Sequence, residues 1–401
     1  MTTTSIDKTT ARASDGLIDV PRGLAGVAVT QTEIGDVRGA EGFYHYRQYD
    51  ATKLARLRTL EDVWLLLLDG ALPDAGRAAA FASELTPLRQ LPASMRPVLD
   101  AVAASTTDTT DALSVLRTTL SATGTTLGLA PLWDGTETSR RADVLAVAAI
   151  VPTLLAAVHR LRHRDEPIAP RDDLGHTANY LWMLRGEEPT SADVTALQRY
   201  LVTTVDHGFN ASTFTARVVA STGADAAACS VAGIGALSGP LHGGAPSRAL
   251  DMLDEIGSPD RAEPWIRTRL EAGERIMGFG HAIYRGPDPR SVLLRETVRE
   301  LATTASPEGA TLVELATAVE DTTLALLAEL RPNKTMGTNV EFYAGVLMHL
   351  VGVPHSLFSA TFGVARSIGW SAHVLEQTRD RKIVRPSARY VGPAPSGDVP
   401  V

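Results

Sequence analysis

Apolar positions along this chain recur mainly at the three- to four-residue spacing of α-helices. The first clear helix is predicted to begin at Thr59-Leu60-Glu61-Asp62, a capping pattern, and to end before Gly70 after the apolar run 63–68. A helix without a polar face is normally buried on every side. The same spacing predicts further helices over 94–105, 110–122, 139–162, 173–184, 191–207, 211–221, 224–237 and 316–330.

Strand signals are confined to the start of the chain. Two β-rich runs, 27–32 and 43–47, are separated by Gly35, Gly39 and Gly42, which predicts a short hairpin. Turns are predicted at 257–259 and 306–309. Strands and helices do not alternate, which argues against a doubly wound sheet. The predicted fold class is therefore all-α, with a minor N-terminal β-hairpin.

The turns that separate the predicted helices suggest two helical domains after a disordered tail. The Thr-, Ser- and Ala-rich start has no apolar core of a secretory signal, so residues 1–20 are predicted to be disordered. We predict a large domain from residues 21–246 and 352–401 and a small domain from 247–351. The two glycine-framed histidines described below lie at the edge and inside of the small block, which places a candidate site between the domains.

The composition is that of an ordinary globular protein and excludes several other classes. Hydrophobic residues make up 44% and charged residues 21%, as in ordinary globular proteins, and the net charge of −8 argues against nucleic acid or an anionic membrane as partner. The longest apolar run, 144–158, contains Pro152 and is shorter than the ~20 residues of a membrane span. The single cysteine, Cys229, excludes an internal disulfide framework and a cysteine-rich metal site. We therefore expect a cytoplasmic protein.

Two histidines lie in glycine-rich turns. His242 is framed by glycines in Gly239-Pro240-Leu241-His242-Gly243-Gly244, and His281 follows Gly278-Phe279-Gly280. Glycine leaves room for backbone amides and a substrate to approach the imidazole, which can donate hydrogen bonds or carry protons near neutral pH. With His207 the spacings are 35 and 39 residues, without a short ligand pair, so no metal site is predicted.

Carboxylate and guanidinium groups complete a possible catalytic set. Glu341 begins an apolar helix, where partial burial would raise its pKa and make it a usable base, although a helix N-terminus also favours Glu for structural reasons. Arg290, Arg366 and Arg385 adjoin tight turns and could clamp carboxylates, although each could equally form a structural ion pair. His207 could bind substrate or cap a helix.

Taken together, these segments resemble the citrate synthase family, from residues 22–27 to 382–386. The resemblance rests on the strings NASTFTARV, SGPLHGGAP, NVEF and VRPSA and is closest to the second-type citrate synthases of actinobacteria. It implies an almost entirely α-helical homodimer with a large and a small domain, and an acyltransferase that takes oxaloacetate and acetyl-CoA.

The resemblance also implies catalytic roles. His242 would donate a hydrogen bond to the thioester oxygen of acetyl-CoA, and His281 would polarise the oxaloacetate ketone and supply its proton. Glu341 would be the base, where the family usually has aspartate. The extra methylene moves the carboxylate by about one carbon–carbon bond, and a misplacement near 1 Å can lower a rate by roughly a hundredfold.

Binding roles follow from the same resemblance. His207, Arg290 and Arg366 would hold oxaloacetate, and Arg385 would reach into the site of the partner subunit. The expected contacts with coenzyme A are Arg285, Ile276, Gly278 and Gly280.

The expected activity is citrate synthesis through an enol or enolate and hydrolysis of citryl-CoA, with acetyl-CoA as co-substrate and no cofactor. One alternative is a methylcitrate synthase that uses propionyl-CoA, because a methylene is worth only ~1–3 kcal/mol of discrimination. Another is a weakly catalytic protein that binds the same ligands.

Overall fold

The all-α prediction is confirmed. The computed structural model describes residues 17–107, 109–242, 246–281, 283–284, 286–331 and 336–393, with the backbone alone at 246 and 247. Within these residues the chain forms one small sheet and sixteen α-helices. In chain order, α1 to α16 are Ala51–Leu57, Leu60–Asp69, Ala75–Leu88, Arg96–Ala104, Ala112–Thr126, Glu137–Arg162, His176–Arg185, Ser191–Thr204, Ala211–Ser221, Ala226–Leu237, Pro246–Ile256, Pro259–Glu271, Pro289–Ala302, Pro307–Leu330, Val340–Leu350 and Phe358–Asp380.

The sheet corrects one of the two predicted strands. Its antiparallel strands, in the order β1-β2-β3, are Gly35–Arg38, Phe43–Tyr46 and Tyr49–Asp50. The predicted strand at 27–32 is wrong, because that run has no pairing partner and its Val29 stays 42% exposed. The first strand instead begins at Gly35, where a Cβ would lie only 2.5 Å from the carbonyl oxygen of His45. Close backbone approach outweighs β-propensity at this edge.

Capping chemistry explains where the helices begin. Thr59 caps α2 through a reciprocal capping box with Asp62, as the sequence predicts. The turn predicted at 306–309 is wrong, because Ser306 caps α14 and Pro307 is its first residue. Proline suits that position, since the first amide of a helix has no intrahelical partner. The helix predicted over 191–207 ends at Thr204.

The centre of the core is built around α6 and α16. Among the described helices, α6 alone is long and apolar enough to cross a membrane by length and composition, but 78% of its most apolar window is buried in the structure. It packs along α16, which is itself almost continuously buried from Val364 to Leu375. The apolar face of α6 is therefore covered by protein, as in a core helix.

Helices α11 to α15 pack largely on one another, and ion pairs tie α13 to helices from earlier in the chain. Arg56 of α1 pairs with Glu296 at 2.5 Å, and Arg199 of α8 pairs with Glu300 at 2.5 Å. Such partly exposed pairs contribute at most about 1 kcal/mol each. The limits of the two domains stay a prediction.

The predicted disordered tail lies largely outside the described residues, which begin at Leu17. Within the part of it that is described, Asp19 forms an ion pair of 3.2 Å with Arg389.

A close approach between α8 and α16 positions the site. A Cβ at Gly369 would lie 2.1 Å from the carbonyl oxygen of Val205, so only glycine lets the end of α8 lie against α16. One turn earlier on α16, the Nε of Arg366 donates to the carbonyl oxygen of Thr204 at 3.1 Å. This contact brings the loop that follows α8, with His207, beside Arg366.

We expect Gly369→Ala to destabilise the protein by about 1–3 kcal/mol or more, because the new methyl group forces the two backbones apart. The matched control is Gly76→Ala in the exposed first turn of α3, where the nearest atom to a Cβ is 3.5 Å away. It should leave stability unchanged or raise it by up to about 1 kcal/mol. Urea unfolding of both variants measures the difference, and equal midpoints would contradict the packing argument.

Candidate active site

His207 lies in the loop between α8 and α9 and is buried among aromatic and cationic groups. Its Nε2 is 2.9 Å from the hydroxyl of Tyr284, and its ring centroid is 5.8 Å from that of His281. Burial and then the charges of Arg290 and Arg366 hold the pKa of His207 well below its usual value. The imidazole is therefore neutral near pH 7 and acts through hydrogen bonds.

His281 ends the segment 276–281 and is oriented by backbone amides. Its Nδ1 accepts hydrogen bonds from the N–H groups of Ile283 at 3.0 Å and Tyr284 at 3.2 Å, which assigns the proton of the neutral ring to Nε2. Burial and then the charge of Arg290 lower the pKa of His281. The Nη2 of Arg290 lies 3.1 Å from Nε2, so two donors stand side by side. An oxygen atom of a bound substrate would satisfy both.

Arg290, in the first turn of α13, is held by a buried carboxylate. Asp288 accepts from its Nε at 3.0 Å and its Nη2 at 2.8 Å, a paired geometry that fixes the guanidinium plane. Burial opposes the charge of Arg290, but Asp288 outweighs that effect and raises its pKa. Asp288 also accepts from the backbone N–H of Val340 at 3.2 Å and so joins α13 to α15.

Arg366 brings a second buried guanidinium to the site. Apart from its Nε bond to the Thr204 carbonyl, it stacks on Phe362 with 4.7 Å between its Cζ and the ring centroid. Burial lowers its pKa although Asp206 opposes the shift, and an arginine stays charged at neutral pH. No carboxylate of the described residues forms an ion pair with it, which leaves its charge available to an external anion.

His242 follows α10 and faces the first turn of α9. Its Nε2 accepts from the backbone N–H of Ser212 at 3.3 Å and lies 2.9 Å from the hydroxyl of the same residue. A neutral ring must then carry its proton on Nδ1, which is left as a donor. Burial and then Arg366 lower the pKa of His242. The glycines that follow it, at 243 and 244, lie outside the described residues.

Glu341 lies in the first turn of α15, where its carboxylate accepts no hydrogen bond from the described residues. Burial raises the pKa of Glu341 to about 7, and Asp288 adds to the shift while Arg290 and Arg248 oppose it. This agrees with the expected effect of its apolar neighbours. A carboxyl group with a pKa near 7 is half ionised at neutral pH and suited to remove a proton.

Asn339 joins the His281 segment to the helix that carries Glu341. Its Oδ1 accepts from the N–H of Glu341 at 3.0 Å, its Nδ2 donates to the carbonyl of Gly280 at 3.0 Å, and its own N–H donates to the carbonyl of Gly278 at 2.8 Å. The N–H of Gly280 in turn donates to the carbonyl of Gly337 at 2.9 Å. One side chain thus fixes the relative positions of a histidine and a carboxylate.

A cavity of about 420 Å³ opens beside His281, and only some of the predicted coenzyme A residues line it. Ile276 and Gly280 line it, together with Arg275 and Arg331, which the sequence analysis did not identify. Gly278 does not line it. A Cβ at Gly278 would lie 2.8 Å from Phe342, so this glycine serves close packing.

One predicted site residue, Arg285, lies outside the described residues. Another, Arg385, is not joined to this constellation. Arg385 is exposed on the extended segment after α16 and forms no hydrogen bond or ion pair with a site residue of its own chain. Among the described residues, no group of three His, Cys, Asp or Glu side chains could hold a metal ion.

Four positioning residues were missing from the sequence prediction. Asn339 and Asp288 are helix N-caps that carried a recognisable signal, since each directly precedes a helical segment. Ser212 lies in a string noted only for its resemblance. Nothing in the local pattern around Tyr284 indicated that its hydroxyl would meet His207.

Comparison with known proteins assigns the family. Residues 23–387 match the family model "Citrate synthase, C-terminal domain". A homologue in Mycobacterium tuberculosis is 38% identical over 93% of both chains, and a citrate synthase of Deinococcus radiodurans is 36% identical over 93% of this chain and 96% of its own. The crystal structure of citrate synthase from Pyrobaculum aerophilum superimposes with a TM-score of 0.84 at 31% identity, over 100% of this chain and 99% of that one. The chain belongs to the citrate synthase family, whose members are acyl-transferring enzymes.

Proposed function

We propose that the protein condenses acetyl-CoA with oxaloacetate to give citrate and coenzyme A. The observation that carries this proposal is the convergence of two buried arginines, Arg290 and Arg366, on the neutral imidazoles of His207 and His281. Two cations and two neutral donors suit a small dicarboxylate with a ketone between its carboxylates.

In the proposed reaction, oxaloacetate lies between the arginines. Arg290 and Arg366 hold its carboxylates, and His207 donates a further hydrogen bond. The proton on Nε2 of His281 points at the ketone oxygen, where it stabilises the negative charge that develops and is then transferred to it. Because the ring is neutral, the proton is held by a weak acid and is released only as the oxygen becomes basic.

Acetyl-CoA supplies the carbon nucleophile. Glu341 removes a proton from the methyl group while Nδ1–H of His242 donates to the thioester oxygen, so that an enol forms without a full negative charge. The enol carbon attacks the ketone carbon of oxaloacetate. Water then hydrolyses the thioester of citryl-CoA and releases citrate and coenzyme A, and no cofactor takes part.

The cavity beside His281 suits the coenzyme. Arg275 and Arg331 line it together with apolar side chains, a mixture that fits phosphate groups on a flexible, partly apolar chain. The thioester would enter past Gly280 toward Glu341.

The family resemblance supports a cytoplasmic homodimer in which Arg385 reaches into the partner's site. Its exposed position on the segment after α16 is compatible with that role. Sedimentation of the purified protein measures the oligomeric state.

The decisive experiment follows release of coenzyme A with a thiol reagent, from acetyl-CoA and from propionyl-CoA, with and without oxaloacetate. We expect release that depends on oxaloacetate and is faster with acetyl-CoA. Faster release from propionyl-CoA would make the protein a methylcitrate synthase. Binding of oxaloacetate without release from either thioester would make it a ligand-binding protein and refute the proposal.

Removing the base should separate catalysis from binding. We expect Glu341→Gln to lower the rate by about 10²- to 10⁴-fold, and His242→Ala to lower it strongly, while both retain oxaloacetate binding by calorimetry. The wild-type rate should rise with pH through about 7 as Glu341 ionises. A Glu341→Gln variant with the wild-type rate would refute the assignment of the base.

The same substitution should change how stability depends on pH. The pKa of Glu341 is raised from 4.5 to about 7, so the folded protein holds a proton that the unfolded chain releases in that window. As the pH rises from about 4.5 to 7, the free energy of unfolding of the wild type should therefore fall relative to that of Glu341→Gln, which lacks this titration. Thermal unfolding across that range compares the two proteins, and parallel curves would mean that the carboxyl group is solvated.

Asn339→Ser tests the link between His281 and Glu341. Serine can still cap α15, but it cannot donate to the carbonyl of Gly280. We expect a rate at least about tenfold lower with little change in stability, because the two catalytic groups lose their common anchor. The reverse exchange at a remote cap, Ser306→Asn on α14, should leave the rate unchanged. Equal rates for Asn339→Ser and wild type would show that the link is dispensable.

A further inference from the structure

Tyr200 carries a buried hydroxyl group without a partner. The side chain lies on α8 and is 0% exposed, yet its oxygen has no hydrogen-bond partner in the described residues. Leaving a buried hydroxyl unpaired is energetically unfavourable, because the group has lost its hydrogen bonds to water. Such a group in a native structure calls for a physical reason.

The other buried tyrosines of the described residues all have partners. The hydroxyl groups of Tyr44 and Tyr46 bond to backbone carbonyls of α8, and those of Tyr180, Tyr284 and Tyr343 bond to side chains. The partners are Thr203 O at 3.2 Å, Val202 O at 2.9 Å, Thr361 at 2.7 Å, His207 at 2.9 Å and Glu320 at 2.5 Å, respectively. The unpaired state of Tyr200 is therefore a local exception.

The surroundings of Tyr200 are the candidate active site. Helix α8 packs against α1, α2, α7, α13, α15 and α16. The ionisable groups that act most strongly on the hydroxyl come from the last four of these helices, one from each: Tyr180, Arg290, Glu341 and Arg366. Burial is the main cause of the raised pKa of Tyr200, and the charge of Glu341 is the next. The phenol is therefore neutral and keeps its proton to donate.

Of these four groups, Glu341 is the acceptor that remains. Arginine side chains only donate, and the hydroxyl of Tyr180 is already bonded to Thr361. The Glu341 carboxylate accepts no hydrogen bond from the described residues. A donor without an acceptor and an acceptor without a donor thus lie on two helices that pack together, beyond hydrogen-bonding distance in this structure.

We propose that Tyr200 is a positioning residue whose hydroxyl donates a hydrogen bond to the Glu341 carboxylate when the site is occupied and α15 shifts against α8. This inference rests on the proposed function. The bond aims the carboxylate at the substrate methyl group and favours its ionised form. It also compensates for the extra reach of glutamate at the position of the base, because a tethered carboxylate loses the freedom of its additional torsion.

The test compares full-length wild type, Tyr200→Phe and the matched control Tyr180→Phe. For Tyr200→Phe we expect a kcat about tenfold lower at pH 7, with the acid limb of the pH profile of kcat moved up by about one unit, because the bond forms only in the occupied site. The sign follows because the lost bond had favoured the carboxylate, so Glu341 ionises at higher pH. Part of the rate should return above about pH 8, and the KM for oxaloacetate should change less than about threefold.

Thermal unfolding of the ligand-free proteins supplies the second readout. Tyr200→Phe should unfold at or above the wild-type temperature, because no bond is lost in that state. Tyr180→Phe should unfold at a lower temperature, because it leaves Thr361 unpaired, and should keep the wild-type acid limb.

The outcomes separate the two proposals. Active wild type with an unshifted acid limb in Tyr200→Phe overturns this inference alone and leaves the proposed function standing. Wild type that releases no coenzyme A overturns the proposed function and this inference with it. A shifted acid limb without loss of stability supports the inference, since a purely structural tyrosine would not move the titration of Glu341.

Discussion

The hydrogen bonds of Asn339 are the constraint on which the arrangement of the site depends. Catalysis of the proposed kind needs a proton donor and a base on opposite sides of the forming bond, and here they belong to different elements of the chain. His281 ends an irregular segment, whereas Glu341 lies in a helix. The amide of Asn339 meets both, since its oxygen caps the helix and its nitrogen holds Gly280. A displacement of either element therefore moves the other with it, and the distance between the two groups is preserved.

The remaining site groups are held by charge and by close packing. Asp288 fixes Arg290 on one side, and the approach of α8 to Gly369 brings His207 to Arg366 on the other. The two guanidinium groups are buried, which makes their interaction with an anion strong because few water molecules compete.

Much of the fold could be predicted from the sequence, because the helical period is strong and the caps at Thr59 and Gly70 are local signals. The strand predicted at 27–32 was wrong, since pairing at Gly35 depends on the contact with His45, which no local pattern reports. The motif histidines, the arginines and Glu341 were predicted as site residues from local strings and from the family resemblance, and their roles stay a prediction. The structure brings His207, His281 and Arg290 together. The surroundings of Tyr284 and Tyr200 could not be predicted, because they arise only when segments distant in the sequence pack together.

The neutrality of the three site histidines has a consequence for regulation. Because burial keeps His207, His242 and His281 uncharged near pH 7, the positive charge that attracts the substrate comes from guanidinium groups, which do not titrate in the physiological range. Among the site groups that the structure describes, Glu341 is the one whose raised pKa makes its charge change there. Acidification would then leave occupancy by the dicarboxylate almost constant while it slows turnover. The enzyme would then keep the dicarboxylate bound while its turnover is slowed by acid.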